Sequence, residues 1–520
     1  MTTARRTPAD GDSRRWARRL ALLSVLLVPV VALPASAQDG LRVTTPVRLN
    51  AEDPTPTRTY QSPILRVHPE EPNTVVASSV DMRQRQCRVM RSRDAGQSWR
   101  LLDGTPMADL DDRDCFHTGG TVNQTPIDWG ADGRLYYGFT RYPDEGGAQG
   151  ANMDVMVGRS DDLGDTWNTT VARDSTVEGT EDEPENNRIN SLAVEPNSGD
   201  DDVVYVAWGR LRPHGVVAVS TDGGDSFSDP IRPFSDEIVD ELGGEDGEVS
   251  TGRPQMHVDQ QGTLNMTFRA DPGAEDEDGR VVVARTDDHG DTWTWNEVDN
   301  QVPTAVWAYP MLSSSADGTL HLVYEAVPDR GEGPGGTRDI YYQRSSDGGD
   351  TWTEPTVIND DGPNSLAGQY NANIDVAPNG RIDVVWYDFR NGQERFATDT
   401  YYTYSADGGD TWSDDVRVSD RATSRHVGAW SNDFDMRAPP GLASANDYAL
   451  TAWSDTRNAG SAGQSQDIYG AAVQHEDLGG SDAVTLPMAL AAAGGLFLAG
   501  ALVLGMALGL RRRGVRPATA

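Results

Sequence analysis

The sequence predicts an all-β fold: seven four-stranded antiparallel sheets set around an axis and closed into a ring, a seven-bladed β-propeller. Three observations carry that prediction. An eight-residue turn motif recurs six times at intervals near 60 residues, and a fixed period of that length marks a repeat architecture. A hairpin of period-two strands precedes every copy and occurs once more after the last, making seven. The last unit lacks an outer strand while the mature N-terminus supplies a spare one, so pairing the ends removes the exposed sheet edges.

The motif reads Ser/Thr-x-Asp-x-Gly-x-Ser/Thr-Trp/Phe and spans Ser92 to Trp99, Ser160 to Trp167, Ser220 to Phe227, Thr286 to Trp293, Ser345 to Trp352 and Ser405 to Trp412. Its central aspartates, Asp94, Asp162, Asp222, Asp288, Asp347 and Asp407, lie 68, 60, 66, 59 and 60 residues apart. Ser/Thr and Asp can hydrogen-bond the backbone of their own turn, Gly supplies a positive φ, and the aromatic ring is an apolar plug. The motif therefore predicts a turn lock; a single active centre does not need six copies of one aspartate.

Strands such as Val203 to Trp208 and Ile382 to Tyr387 lead through a polar loop and a second strand into each motif, and a short extended piece such as Glu354 to Ile358 follows it. The seventh hairpin is Tyr448 to Trp453 with Ile468 to Val473, after which the motif has decayed to His475-Glu476-Asp477-Leu478-Gly479-Gly480. Thr45-Pro46-Val47-Arg48-Leu49 resembles the pieces that follow the motifs and is the expected closing strand. The propeller is expected over about residues 41 to 476, six blades being the alternative count.

Both ends of the chain read as targeting segments. Residues 1–37 combine paired arginines, an apolar stretch from Leu20 to Leu33 and Ala35-Ser36-Ala37 before Gln38, the composition of a cleaved signal peptide. Sec export is the default, and Arg14-Arg15 and Arg18-Arg19 raise the twin-arginine route. Residues 486–510 carry no charge and end in Arg511-Arg512-Arg513, which predicts one C-terminal transmembrane helix with residues 511–520 in the cytoplasm. The expected organisation is a 38–480 ectodomain on the outside of the cell membrane, held by a single pass. Ala501, Gly505 and Gly509 form a small-residue row that could pair two such helices into a homodimer.

Formal net charge is −37, and all 44 basic side chains are arginine. Six arginines and two aspartates fall in residues 1–37 and four arginines in the last ten, leaving 34 arginines against 79 acids between, a net of −45. Such a body excludes nucleic-acid binding through a basic face and gains from salt, which screens its self-repulsion. The only cysteines, Cys87 and Cys115, predict one disulfide in an exported domain, pinning the upper face of blades one and two.

At its motifs the chain resembles the Asp-box (BNR-repeat) proteins, whose best-known members are the sialidases, and the resemblance covers the ectodomain. It implies motifs on the propeller face away from the ligand site. It also implies a sialidase-type site: three arginines on the substrate carboxylate, a tyrosine nucleophile assisted by a glutamate, and an aspartate as acid. Arginine forks suit a carboxylate, and an anionic substrate repels a carboxylate nucleophile. Where the family carries its first arginine this chain has Gln61, in Tyr60-Gln61-Ser62-Pro63-Ile64-Leu65. Arg188 in Asn187-Arg188-Ile189 and Arg253 in Gly252-Arg253-Pro254 stand at the starts of later blades, and Trp307-Ala308-Tyr309-Pro310-Met311-Leu312 looks like the stretch bearing the family's tyrosine. The catalytic candidates are thus Tyr309, Tyr370, Arg188 and Arg253, for an exo-α-sialidase-like glycoside hydrolase. The alternative function is a non-catalytic propeller whose upper face grips a glycan or surface protein.

Two loops repeat Asp-x-Arg-Asn, at Asp388-Phe389-Arg390-Asn391 and Asp455-Thr456-Arg457-Asn458. Their recurrence favours an internal brace over a ligand-binding pair. The acidic loops Ala274 to Gly279 and Asp236 to Glu241 show no ordered ligand spacing, so calcium is an alternative to a solvated loop there and no cofactor is expected; the eight histidines show no zinc spacing.

Overall fold

The computed structural model describes residues 40–475, apart from 104–114, 116–124, 142–152, 176–186, 196–200, 210–214, 235–253, 271–278, 303, 305–308, 328–337, 363–364, 393–396, 429–437 and 460–464. The predicted signal peptide, membrane span with its Ala501, Gly505 and Gly509 row, cytoplasmic tail and decayed seventh motif beyond His475 lie outside the described residues. Among the described residues no helix is long and apolar enough to cross a membrane.

Seven antiparallel sheets follow one another along the chain, as the hairpin count predicts. Their strands are Tyr60–Val67, Val75–Asp81, Gln86–Ser92 and Arg100–Leu101 in blade one. Blade two has Ile127–Trp129, Leu135–Arg141, Asp154–Ser160 and Asn168–Arg173, and blade three Arg188–Val194, Val204–Gly209 and Gly215–Ser220. Blade four has Gln255–Val258, Leu264–Ala270, Arg280–Thr286 and Thr294–Val298, and blade five Met311–Ser314, Leu320–Ala326, Asp339–Ser345 and Thr356–Val357. Blade six has Gln369–Val376, Ile382–Asp388, Ala397–Ser405 and Val416–Arg417, and blade seven Gly441–Ser444, Tyr448–Asp455 and Asp467–His475. Blade three departs from four full strands: its outer position is a single bridge, Val217 to Ile231. Pro230 and Pro233 flank that residue and have no N–H to extend a ladder.

The ends close the ring. Leu41–Val43 pairs with residues 473–475, and Val47 and Arg48 pair with Gly470 and Tyr469. The N-terminal strand occupies the place that Val416–Arg417 fills in blade six, and its side chains repeat the same anchoring. In blade six, Arg417 and Ser419 donate to the buried Asp399 at 2.6 and 3.0 Å. In blade seven, Asn50 donates to the buried Asp467 at 2.9 Å and Arg48 approaches it at 3.7 Å. Arg58 adds a guanidinium hydrogen bond to the same carboxylate. A buried carboxylate is tolerated because its lone pairs are taken up this way.

Second strands are buried on both faces, as in Ile382–Asp388, because each sheet is sandwiched between two neighbours. Between blades six and seven Tyr370, Val385, Tyr387, Phe389, Tyr402, Trp453 and Val473 form one apolar cluster. Trp208, Trp386 and Trp453 occupy the same position in three blades and are fully buried. Each indole N–H still finds an acceptor, Asn187, Asp388 and Asp455 respectively, at 2.9 to 3.1 Å, as a buried indole requires.

All six Asp boxes adopt one geometry. In the first, Ser92 Oγ donates to Asp94 Oδ1 at 2.8 Å, Asp94 accepts from Ser98 N at 2.8 Å and from Ser98 Oγ at 2.6 Å, and Trp99 Nε1 donates to the Gly96 carbonyl at 3.0 Å. Gly96 has φ of 83°, and an added Cβ would lie 2.7 Å from Leu450, so glycine is required there on two grounds. Asp288, Asp347 and Asp407 are held at a pKa of about 2 by the hydroxyl and then the amide of the threonine four residues on. The boxes join third to fourth strands, and with the turns between first and second strands they define one face. The second-to-third loops and the blade-to-blade connections define the upper face.

Candidate functional site

The inner strands surround an axial cavity of about 600 Å³, within the range of small-molecule sites. Strand register sorts much of its wall into two stacked layers. The lower layer, nearer the Asp boxes, holds Arg66, Asp128, Ala193, His257, Ser313, Asp375 and Ala443, opposite the equivalent second-strand residues. Two residues up, Ile64, Ser191, Gln255, Met311, Asn373 and Gly441 share a level, with Pro126 and Ser62 also lining the cavity. The lower layer carries charge and the upper layer is neutral.

The charges below are satisfied within the protein. Arg66 Nε pairs with Asp128 Oδ1 at 3.2 Å, and Asp128 Oδ2 accepts from the amide of Val194 in the next blade. Asp375 Oδ2 accepts from Ser444 N at 2.8 Å, and His257 Nε2 meets Ser314 Oγ at 2.8 Å. Burial pushes Asp375 up to about 6 against the pull of Arg66 and lowers His257 to about 4. These side chains staple neighbouring blades. In the upper layer Ser191 Oγ accepts from Met256 N at 3.0 Å and Asn373 Nδ2 donates to the Pro440 carbonyl at 2.9 Å. The Ser62 hydroxyl is buried with no hydrogen-bond partner among the described residues.

The rim of this cavity bends. Inner strands of blades one, three and six each carry an extra residue, between Gln61 and Ile64, Ile189 and Ser191, and Tyr370 and Asn373. Ser62 and Asn371 take the same position in these bulges, both at φ of 54°, a left-handed conformation that non-glycine residues adopt at a cost and that clusters at functional sites. The Asn371 bend is held by Glu325, whose buried carboxylate accepts the Asn371 amide at 3.1 Å and the Arg338 guanidinium at 3.4 Å. Arg269 stands near enough for Glu325 to raise its pKa, while burial, the larger effect, brings it down to about 10. Gly279 makes room, since a Cβ there would lie 2.3 Å from Arg269 Nε.

The predicted residues fall as follows. Tyr309 is buried just before the inner strand of blade five, and Arg188 is half-buried at the start of that of blade three. Arg253 lies outside the described residues. Tyr370 is buried against Tyr387 and Phe389 with Arg425 4.7 Å above its ring, and its hydroxyl has no hydrogen-bond partner among the described residues. Asp388 and Arg390 form an internal brace: the Arg390 amide and Nε bond Asp388 at 2.7 and 2.9 Å, while Nη1 and Nη2 reach Asp360 and Asp415. Asp455 and Arg457 repeat it, with Asp420 as the outer partner. Arg390 and Arg457 also cover the rings of Tyr401 and Tyr469 at 4.4 and 4.0 Å. A third copy stands at Asp81-Met82-Arg83-Gln84, where Asp81 Oδ1 accepts the amides of Arg83 and Gln84; its sequence signal is the same Asp-x-Arg at the end of a second strand. Cys87 and Cys115 are bonded, with Cα atoms 5.5 Å apart, and tie the first blade-to-blade connection to the upper end of blade one. Among the described residues no cluster of metal-ligating side chains occurs, and most of the two acidic loops lies outside them.

Comparison with known proteins gives a partial match. The profile of a BNR repeat-containing family matches residues 254–417, blades four to six. No curated protein matches the chain. Solved structures similar to it include a protein of unknown function from Dyadobacter fermentans, at 14% identity over 84% of this chain and 100% of the other, with a TM-score of 0.45. A Penicillium chrysogenum α-L-arabinanase complexed with arabinobiose shares 12% identity over 84% and 99%, with a TM-score of 0.41. A Hadza microbial sialidase shares 16% over 77% and 76%, with a TM-score of 0.40. Six boxes of one geometry on a closed ring, with the profile of a BNR repeat-containing family matching three of its blades, identify the fold as an Asp-box β-propeller that carries BNR repeats over blades four to six.

Proposed function

We propose that this is an exported, membrane-anchored propeller that binds a neutral glycan at the upper end of its axial cavity without cleaving it. One observation carries the reading. The upper layer offers hydroxyl and amide groups, from Ser191, Gln255 and Asn373 on three blades, interleaved with Ile64 and Met311. Hydroxyl and amide groups with apolar contacts match the two surfaces of a sugar ring. The charges below are tied to one another or to backbone amides, and the braced arginines Arg390 and Arg457 are each paired with two or more carboxylates, so the described guanidinium groups at these places serve the fold. The test is a glycan array probed with the ectodomain, followed by titration of the best ligand. Binding of uncharged oligosaccharides, weakened about tenfold by Asn373→Ala or Gln255→Ala, is expected. Binding confined to sialylated glycans overturns the reading.

A sialidase-type hydrolase is the second reading, favoured by Tyr370 lying under Arg425 and next to Asn371, whose amide Glu325 holds. It predicts turnover of a fluorogenic sialoside, in low or high salt, that Tyr370→Phe or Tyr309→Phe abolishes.

A further inference from the structure

We infer that the propeller stands on its membrane with the Asp-box face toward the bilayer and the cavity rim facing outward, so that its ligand is a glycan in the medium or on an opposing surface. The inference rests on the glycan reading for its ligand and on the 486–510 span for its anchor. Its carrier is the direction of the last strand. Asp467–His475 starts beside the upper brace, where Asn458 donates to Asp467 at 2.8 Å. It ends on the opposite face, where the His475 amide donates to the Asp447 carbonyl at 3.0 Å, in the turn between the first two strands of blade seven.

The chain therefore leaves the propeller on the Asp-box side. Ten residues, 476–485, separate His475 from the predicted span, and ten residues reach at most about 36 Å. A seven-residue strand is about 23 Å long. To bring the cavity rim to the bilayer, the linker would have to cross that height, clear the closing strand Leu41–Val43 on the outer edge, and still turn into the membrane. The Asp-box face needs no such detour. Asp225, Asp350 and Asp410 on that face are 65–70% exposed, and their charge keeps it from lying flat on an anionic leaflet.

The test uses the full chain in liposomes with a dye on one of two engineered cysteines, Asp287→Cys in the fourth box or Ala422→Cys above blade six, both exposed positions. The two native cysteines are bonded to each other. Energy transfer to an acceptor on lipid headgroups is expected to be at least about twofold stronger from position 287 than from position 422, given faces about 23 Å apart. Equal transfer, the reverse order, or failure of the chain to float with the vesicles overturns the inference. The labels report orientation whether or not sugar binds, and the glycan array reports binding whether or not the chain is anchored, so the two readings fail separately.

Discussion

Asp415 shows how the acidic composition is managed at the scale of a residue. Its amide donates to Asp360 Oδ2 and the Asp360 amide donates to Asp415 Oδ2, both at 2.9 Å, while Arg390 reaches each carboxylate. Burial, and then the neighbouring Asp360 carboxylate, push Asp415 up to about 8. The folded state therefore keeps a proton that the unfolded chain releases above about pH 4, and this group lowers stability progressively from about pH 4 to pH 8. Asp415→Asn keeps the shape of the protonated form. It is expected to raise stability at pH 8, to change little at pH 4, and to flatten the profile between, as read by urea unfolding; an unchanged profile refutes the assignment. Arg457 belongs to the same economy of charge. Arg457→Lys cannot reproduce the fork to Asp455 and Asp420, and a loss of about 2–3 kcal/mol in unfolding free energy is expected. An unchanged stability would mark the brace as dispensable.

Within and between elements, the Asp box couples one blade to the next. Arg159, one residue before box two, donates to the Gly223 carbonyl and to Asp225 in box three, at 2.9 and 2.8 Å. Arg91 reaches Asp165, Arg285 reaches Asp350 and Arg344 reaches Asp410 in the same way. The aspartates are largely exposed, so each pair contributes about 0–1 kcal/mol and less in salt. Removing all four arginines is expected to cost under about 4 kcal/mol, with the loss shrinking at high ionic strength in thermal melts. The disulfide acts more strongly: its 28-residue span predicts about 3.5 kcal/mol lost for Cys87→Ser, checked by the denaturation midpoint. Elements of this kind were legible in the sequence because their chemistry is local; a box or an Asp-x-Arg brace declares its partners within a few residues. The Glu325, Arg269 and Arg338 group was not, because those residues lie on two blades and meet only through the fold, and the bulge at Ser62 has no signal beyond the proline that follows it.

On the scale of the whole molecule, ring closure depends on few residues. Leu41–Val43 and Val47–Arg48 are the only strands among the described residues that link the ends of the chain. Deleting residues 38–50 exposes the edge of Asp467–His475 and leaves the buried Asp467 without Asn50 and Arg48. Loss of cooperative unfolding and self-association are expected, read by calorimetry and light scattering. Closure was legible because an orphan strand stood at one end and an incomplete blade at the other. What the sequence left open was the character of the axis, since the layers follow from the register of seven strands, and no one repeat reveals that Gln255 and Asn373 share a level while Arg66 and Asp375 lie below. A neutral glycan site at the upper end of the cavity would show itself in a crystal structure of the ectodomain soaked with the best oligosaccharide from the array. Sugar hydroxyls within hydrogen-bond distance of Asn373, Gln255 and Ser191 are expected. A sugar held instead by arginines around Tyr370, or on the Asp-box face, would contradict it.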